Sequence, residues 1–430
     1  MITTAYINIW GQRIGAVAWD SNINIGYFEY EPAFLEAGLD ISPIKLPIKN
    51  AQKRVFTFPE LKQNDTFKGL PGLLADILPD NYGNALINSW LNVQGRPTDS
   101  LNPIETLCFI GKRGMGALEI EPARGGSGSV SKNLEIDSLI KVAERILTKR
   151  KNFTLPTDRE QERAFYDILK IGTSAGGARA KAVIAFNENT EEIRSGQFFA
   201  PEGFEHWLIK FDGVMDKQFG SSNGYGRVEM AYYEMARDAG IEMMESRLLE
   251  EHDRAHFMTK RFDRDEKGEK VHVQTFCALR HFDFNNVLQY SYEQLFETMR
   301  ILRLSYPQAE QMYRRMVFNV MSRNCDDHTK NFAFMMNKKG IWKLAPAYDI
   351  CHAYRPNSEW VSQHSLSING KRSDITRQDL LDIAYKMNVK KAPKILDKIK
   401  DVVSEWKSYA DEQDVHIDLS DAINKTLILI

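Results

Sequence analysis

The stretch Asn324-Cys325-Asp326-Asp327-His328-Thr329-Lys330-Asn331-Phe332 constrains the chain more than any other, because of what flanks it. Before it, Gln311 to Met321 places apolar residues at helical spacing. After it, Phe332 to Met336 reads as a buried strand, Asn337-Lys338-Lys339-Gly340 as a turn, and Ile341 to Leu344 as a second strand. That strand ends at Ala345-Pro346-Ala347-Tyr348-Asp349. A helix, a polar loop and a hairpin in this order bring Asp326, Asn331 and Asp349 to one mouth.

Phosphoryl transfer from ATP calls for that set of side chains. One carboxylate orients the attacking hydroxyl and takes its proton, while an amide oxygen and a second carboxylate hold magnesium against the phosphates. The protein-kinase catalytic loop has the same Asp-x-x-x-x-Asn spacing and a later metal-binding Asp. Here no His-Arg precedes the first Asp and no Phe-Gly follows the last, so an ordinary eukaryotic-type kinase is not indicated. Spacing alone does not choose between Asp326 and Asp327 as the base. The competing reading is a polar loop that merely caps a helix.

The 430 residues suffice for two or three domains with sizeable cores. A formal net charge of −2 offers no global attraction to nucleic acid or anionic membrane. Any contact with DNA would come from a local patch or through a partner. The four cysteines, Cys108, Cys277, Cys325 and Cys351, lie far apart and form no paired metal-ligand spacing, which fits a reducing cytoplasm. No signal peptide and no run of about 18 apolar residues is visible, so a cytoplasmic protein away from the membrane is expected.

Residues 1–122 read as a small β-rich domain, with strands at Tyr6–Trp10, Gly15–Trp19 and Ile25–Tyr30. Helices are expected at Ala75–Leu91 and Ile104–Ile110, the second stopped by Gly111. Arg124-Gly125-Gly126-Ser127-Gly128-Ser129 lies in a linker placed at residues 123–133. Residues 134–430 are then a second domain, with lobes of about 134–265 and 266–430. It opens on a helix at Glu135–Leu147.

In its first lobe, Ser174-Ala175-Gly176-Gly177-Ala178-Arg179-Ala180-Lys181 leads into the apolar strand Ala182–Phe186. Glycine beside a strand lets backbone N–H groups approach phosphates, although the order is not that of a Walker loop and a plain hairpin turn is the alternative. His206–Phe211 is a buried-looking strand carrying Lys210, which is either an edge lysine reaching water or a phosphate contact. The helix Val228–Ala239, capped by Gly240, offers Glu229 and Glu234 as partners for Lys210 without choosing between them. Phe257–Phe262 is a strand suited to pass along an adenine. From Tyr292 onward helices dominate, including Gln378–Tyr385 and Ala392–Trp406.

These residues together resemble the HipA family of bacterial serine/threonine kinases, the toxins of HipBA-type toxin–antitoxin pairs. The resemblance rests on Phe67-Lys68-Gly69-Leu70-Pro71-Gly72-Leu73-Leu74 through Asp80, on Ile110–Leu118, and on the Ser174–Lys181 loop. It continues at Lys210, Arg261-Phe262-Asp263, Val273-Gln274-Thr275, Asp326–Phe332 and Ala345–Asp349. It implies an α+β chain: a small β-rich N-terminal domain followed by a bilobal protein-kinase-like fold with an all-helical C-lobe.

Carried over residue by residue, the resemblance implies that Asp326 is the catalytic base and that Asn331 and Asp349 hold Mg2+. Nucleotide contacts fall to Ser174, Gly176, Gly177, Lys181 and Lys210, to the backbone around Lys260 and Phe262, and to Asp263 and His328 near the ribose. Ser174 is the implied autophosphorylation site, which ejects the glycine loop. ATP and Mg2+ are the implied cofactors. The implied partners are a small helix-turn-helix antitoxin, operator DNA through it, and a protein substrate such as an aminoacyl-tRNA synthetase. The chain departs from the family in the loop, Ala-Gly-Gly-Ala-Arg-Ala-Lys, and in Lys260, where an acidic hinge residue is common.

Two other readings remain open. One is a metal-dependent phosphohydrolase built on Asp326, Asp327, His328, Asp349 and His352. The other is a nucleotide-binding co-repressor with weak or no catalysis.

Overall fold

In a computed structural model, residues 2–49, 51–122, 136–148, 158–173, 179–197, 200–216, 220–221 and 224–430 are described. The chain divides into two compact units. The first takes in Met1–Asp40, Leu46–Gly226 and Arg247–His272; the second takes in Ile41–Lys45, Arg227–Ser246 and Val273–Ile430. It is a mixed chain, with antiparallel sheets in the N-terminal unit and mostly helices later.

The first unit opens on five antiparallel strands in the order Val55–Phe56, Ile25–Tyr30, Gln12–Asp20, Thr4–Ile9 and Leu118–Pro122. Alternation in Thr4–Ile9 buries Ala5, Ile7 and Ile9 on one face, as a half-buried strand requires. The three N-terminal strands lie where their alternation places them. Helix Pro103–Ile110 starts on a reciprocal cap between Asn102 and Glu105 and stops at Gly111, whose φ of 59° suits glycine. The single helix expected over Ala75–Leu91 is instead a short turn at Gly72–Ala75 and a helix at Asn81–Val93. Pro79 explains the break, since it lacks an N–H and disfavours helical backbone in the residue before it.

A second five-stranded sheet runs Ser246–Glu251, Arg254–Lys260, Glu205–Lys210, Lys181–Phe186 and Ile193–Ser195. Helices Ile136–Thr148 and Arg159–Gly172 pack on it. Ala143, Ile146, Phe165 and Ile168 meet Ala182, Ile184, Trp207 and Ile209 in one buried cluster.

The second unit is built of helices, among them Tyr292–Ile301, Tyr306–Met321, Arg377–Met387 and Ala392–Ser404. Three are announced by their caps or stops. Ser291 with Gln294, and Thr376 with Asp379, form reciprocal boxes, and Gly240 at φ 80° follows Tyr225–Asp238. The run expected over Ala392–Trp406 breaks at Glu405 into two helices. The helices are joined by one small sheet in the order His272–Thr275, Ala333–Met336 and Trp342–Leu344. An all-helical C-lobe leaves this sheet out, although the hairpin Phe332–Leu344 announces two of its strands. Among the described residues no helix is long and apolar enough to cross a membrane.

Two buried histidines link the fold of the first unit to pH. His206 Nε2 accepts from the Ala200 N–H at 3.3 Å, and its Nδ1 lies 3.2 Å from the Gly196 carbonyl. His256 Nδ1 accepts from the Asp212 N–H at 2.9 Å. Burial, with the Arg261 and Arg264 charges beside His206 and Arg254 near His256, lowers each pKa to about 4. Both therefore fold neutral, while the unfolded chain binds protons below about pH 6.5. The stability they contribute is present above that pH and is lost as pH falls from about 6.5 toward 4. The melting temperature of the wild type is expected to fall across this window, and that of His206→Gln/His256→Gln to fall less. Thermal denaturation by circular dichroism at several pH values measures both.

Candidate functional site

Helix Tyr306–Met321 ends at Ser322, and the chain continues through the buried Asn324 and Cys325 into the polar loop. The Cys325 N–H donates to the Ala353 carbonyl at 3.0 Å, and the Ser365 hydroxyl donates to the Cys325 carbonyl at 3.3 Å. The two aspartates that follow have opposite surroundings. Asp326 keeps its side chain 48% exposed, with His328 Nε2 3.9 Å away. Asp327 is sealed in the interior and accepts three hydrogen bonds: from the Tyr292 hydroxyl at 2.8 Å, His364 Nδ1 at 2.9 Å and the Ser365 N–H at 2.7 Å. The structure thus separates two residues that spacing leaves equivalent. Asp326 is the one whose side chain meets solvent.

Asn331 lies at the end of the single turn Thr329–Asn331, and its amide nitrogen donates to the Asp326 carbonyl at 2.6 Å. Its amide oxygen is therefore the atom left for a cation. Asp349 arrives on the segment after the hairpin, where Tyr348 donates to the Lys330 carbonyl at 2.6 Å and the buried Arg315 donates to the Ala345 carbonyl at 2.7 Å. Asp349 takes a φ of 52°, a left-handed conformation that Asp tolerates better than most residues. Asn331 and Asp349 line the same small cavity, together with Asp327, Asn319 and Asn324. His328 packs on Phe284, and its buried Nδ1 has no hydrogen-bond partner among the described residues.

Of the remaining candidates, those for the nucleotide lie in the first unit, while Glu229 and Glu234 belong to the second. Ser174, Gly176 and Gly177 fall outside the described residues. Lys181 opens its strand and stands directly opposite Lys210, which is also opposite Phe257. Directly paired residues on adjacent strands project to the same face of the sheet. Lys181 is buried, and the Lys210 ammonium lies 5.7 Å from the Phe257 ring centre. Lys260 closes its strand with its ammonium 2.9 Å from Glu205 and over Trp207, and the next backbone N–H, of Arg261, donates to the His206 carbonyl. Phe262 is half-buried. Glu229 is buried on helix Tyr225–Asp238, and Glu234 on the same helix is 3.6 Å from Arg237.

Asp263, expected near a ribose, is held inside the first unit. Its carboxylate is fully buried, clamped in two-point fashion by Arg261 at 2.8 and 2.7 Å, and met by Arg264 at 2.7 Å and the Gly116 N–H at 2.7 Å. Burial alone would raise its pKa, but the two guanidiniums and the N–H hold it well below the usual carboxylate range. Four donors leave no face for a sugar hydroxyl, and the residue instead ties its strand end to the Gly116 turn. Sequence reasoning also missed His364, Tyr292 and Ser365, the partners of Asp327. The trace they leave is slight: a polar–apolar alternation, His364-Ser365-Leu366-Ser367-Ile368, in which Leu366 and Ile368 are buried.

The chain matches two family models, the HipA N-terminal domain over residues 5–121 and the HipA-like C-terminal domain over residues 173–406. No curated protein matches it. Among solved structures it is similar to HipA of the Shewanella oneidensis MR-1 toxin–antitoxin system, determined with HipB and operator DNA. The likeness covers 99% of this chain and 100% of that one at 16% identity, with a TM-score of 0.67, which shows a shared fold. A Helicobacter pylori proinflammatory kinase, CtkA, matches 58% of this chain and 92% of its own at 15% identity, with a TM-score of 0.33. With one family domain over most of its first 121 residues and the other over more than half of its length, the chain belongs to the HipA family.

Proposed function

We propose that this protein is a Mg-ATP-dependent serine/threonine protein kinase of the HipA toxin type. The observation that carries the reading is the arrangement around the polar loop: Asp326 open to solvent, with Asn331 and Asp349 together on one cavity. An amide oxygen and a carboxylate are the hard oxygen donors that magnesium prefers, so the donor set fits the cation. Magnesium bound there would neutralise phosphate charge during transfer. Asp326 accepts the proton of the substrate serine as that oxygen forms its bond to the γ-phosphorus, the bond to the β–γ bridging oxygen breaks, and ADP leaves. Lys181 and Lys210, paired across two strands, supply positive charge suited to the nucleotide phosphates. His328, with its unpartnered Nδ1, supplies a polar atom for the nucleotide.

The phosphohydrolase reading has less support. Asp327 is taken up by His364, and His352 Nε2 lies 2.9 Å from the Thr426 hydroxyl. No group of three or more His, Cys, Asp or Glu poised for a metal is found among the described residues. A co-repressor without catalysis would not need an open Asp326 side chain on a loop whose Asn331 shares a cavity with Asp349. The partners proposed with this reading are a small helix-turn-helix antitoxin and, through it, operator DNA, as in the S. oneidensis complex. The substrate class is a protein serine, an aminoacyl-tRNA synthetase being the first to assay. Autophosphorylation at Ser174 completes the proposal, with a phosphoserine charge of roughly −1.5 to −2 working against nucleotide phosphates.

Asp326→Asn is expected to lower phosphoryl transfer by about 10²–10⁴-fold while ATP binding persists, because an amide cannot take the proton. Asp327→Asn is expected to cost stability as well, since it disturbs a buried ion pair. A purified Asp326→Asn protein with near-wild-type transfer would remove the assignment. Separately, Asp349→Ala is expected to raise the magnesium needed to bind a fluorescent ATP analogue more than Asn331→Ala does, because it withdraws a charge rather than a dipole. Equal titration curves for Asp349→Ala and wild type would make Asp349 structural.

A further inference from the structure

A buried ion pair is a poor way to gain stability. Removing two charges from water costs several kcal/mol per ion, and well-packed apolar replacements are often no less stable. Such a pair is better suited to fixing one geometry. The second unit holds one beside its polar loop: Asp327 and His364 are 1% and 2% exposed, with Nδ1 2.9 Å from Oδ2.

Every hydrogen bond around the pair fixes the same few residues. The Tyr292 hydroxyl that donates to Asp327 accepts from the Asn319 amide at 3.0 Å, and Asn319 in turn accepts from the Asn324 amide at 3.0 Å. Ser365 joins both sides of the loop, through its N–H to Asp327 and its hydroxyl to the Cys325 carbonyl. Beyond His364, Arg372 donates to the His364 and Ser365 carbonyls. On the open side, Asn331 is held by the Asp326 carbonyl. The groups facing the pair are Tyr292, Asn319, Arg372 and Cys325, whose Sγ lies 3.9 Å from His364 Nε2.

We propose that the Asp327–His364 pair is a positioning device for phosphoryl transfer, fixing from beneath the backbone from which Asp326 and Asn331 project. The inference rests on the kinase reading and assigns the pair no contact with substrate. Its electrostatics agree. Burial pushes His364 down, but the Asp327 carboxylate overcomes this and raises its pKa to about 10, so the imidazole is charged at neutral pH.

The test uses the full chain with His364→Gln, Asp327→Asn, the double variant, and Tyr292→Phe, which removes one donor and leaves the pair. For each, kcat and KM for ATP in magnesium-dependent transfer are measured beside the melting temperature. Misplacing a base by about 1 Å costs on the order of 10²-fold. His364→Gln is therefore expected to lower kcat by about tenfold or more, with KM for ATP within about twofold and a cooperative melt retained. The double variant is expected to fall no further than the worse single one, because both remove the same pair. Should His364→Gln fail to fold, a several-fold kcat loss at unchanged KM in Tyr292→Phe carries the claim. A folded His364→Gln with wild-type kcat, or an unchanged kcat in Tyr292→Phe when His364→Gln does not fold, would overturn it. So would losses of kcat and ATP binding that track the melting temperature together. Wild type without any transfer would instead sink the kinase reading and this inference with it, whereas active wild type with inactive Asp326→Asn keeps the two failures apart.

Discussion

Asp327 carries its carboxylate into a part of the C-terminal unit that water does not reach, and three donors from two distant segments meet it there. Removing His364, the one charged partner, would strand a buried charge, at a cost of about 3–5 kcal/mol. The loop from Cys325 to Asn331 is thereby tied to the helix beginning at Tyr292 and to the segment His364–Ser365. Neighbouring residues then acquire opposite roles. Asp327 is fixed because it is surrounded, and Asp326, one residue earlier, is turned toward solvent because the backbone between them has no freedom to exchange the two.

The same physics recurs in the N-terminal unit with a different outcome. Asp263 is also a buried carboxylate, but its partners are two arginines and a backbone N–H rather than a histidine. Guanidiniums match a carboxylate in two-point fashion, and four hydrogen bonds converge on this one. The paired lysines of the adjoining sheet, Lys181 and Lys210, gather positive charge at one register position. Burial thus separates carboxylates that hold the fold from those left for chemistry.

Much of this was legible in the sequence, for physical reasons that differ from element to element. The strands Thr4–Ile9 and Ile25–Tyr30 and the hairpin after Asn331 follow from alternation and turn residues acting over a few positions. Helix Pro103–Ile110 was legible because its cap and its stopping glycine are local. The split of Ala75–Leu91 at Pro79 is equally local, since the proline itself is its signal. What was not legible depends on residues far apart along the chain. The choice between Asp326 and Asp327 is made by Tyr292 and His364, which no spacing rule connects to the loop. The hydrogen bond from the Gly116 N–H to Asp263 joins residues far apart along the chain, and no local pattern announces it. The glycine loop with Ser174, Gly176 and Gly177 lies outside the described residues, so its reading rests on the sequence and the family.

The proposed activity is transfer of phosphate from Mg-ATP to protein serine, with Asp326 as base and Asn331 and Asp349 at the cation. The most direct measurement incubates the purified full chain with γ-labelled ATP and a cell extract, with magnesium, with a chelator, and with the chelator overcome by excess magnesium. The account predicts label on serine in protein, lost on chelation and restored by magnesium. Label that persists under chelation, or none on protein from a folded and ATP-binding preparation, would contradict it.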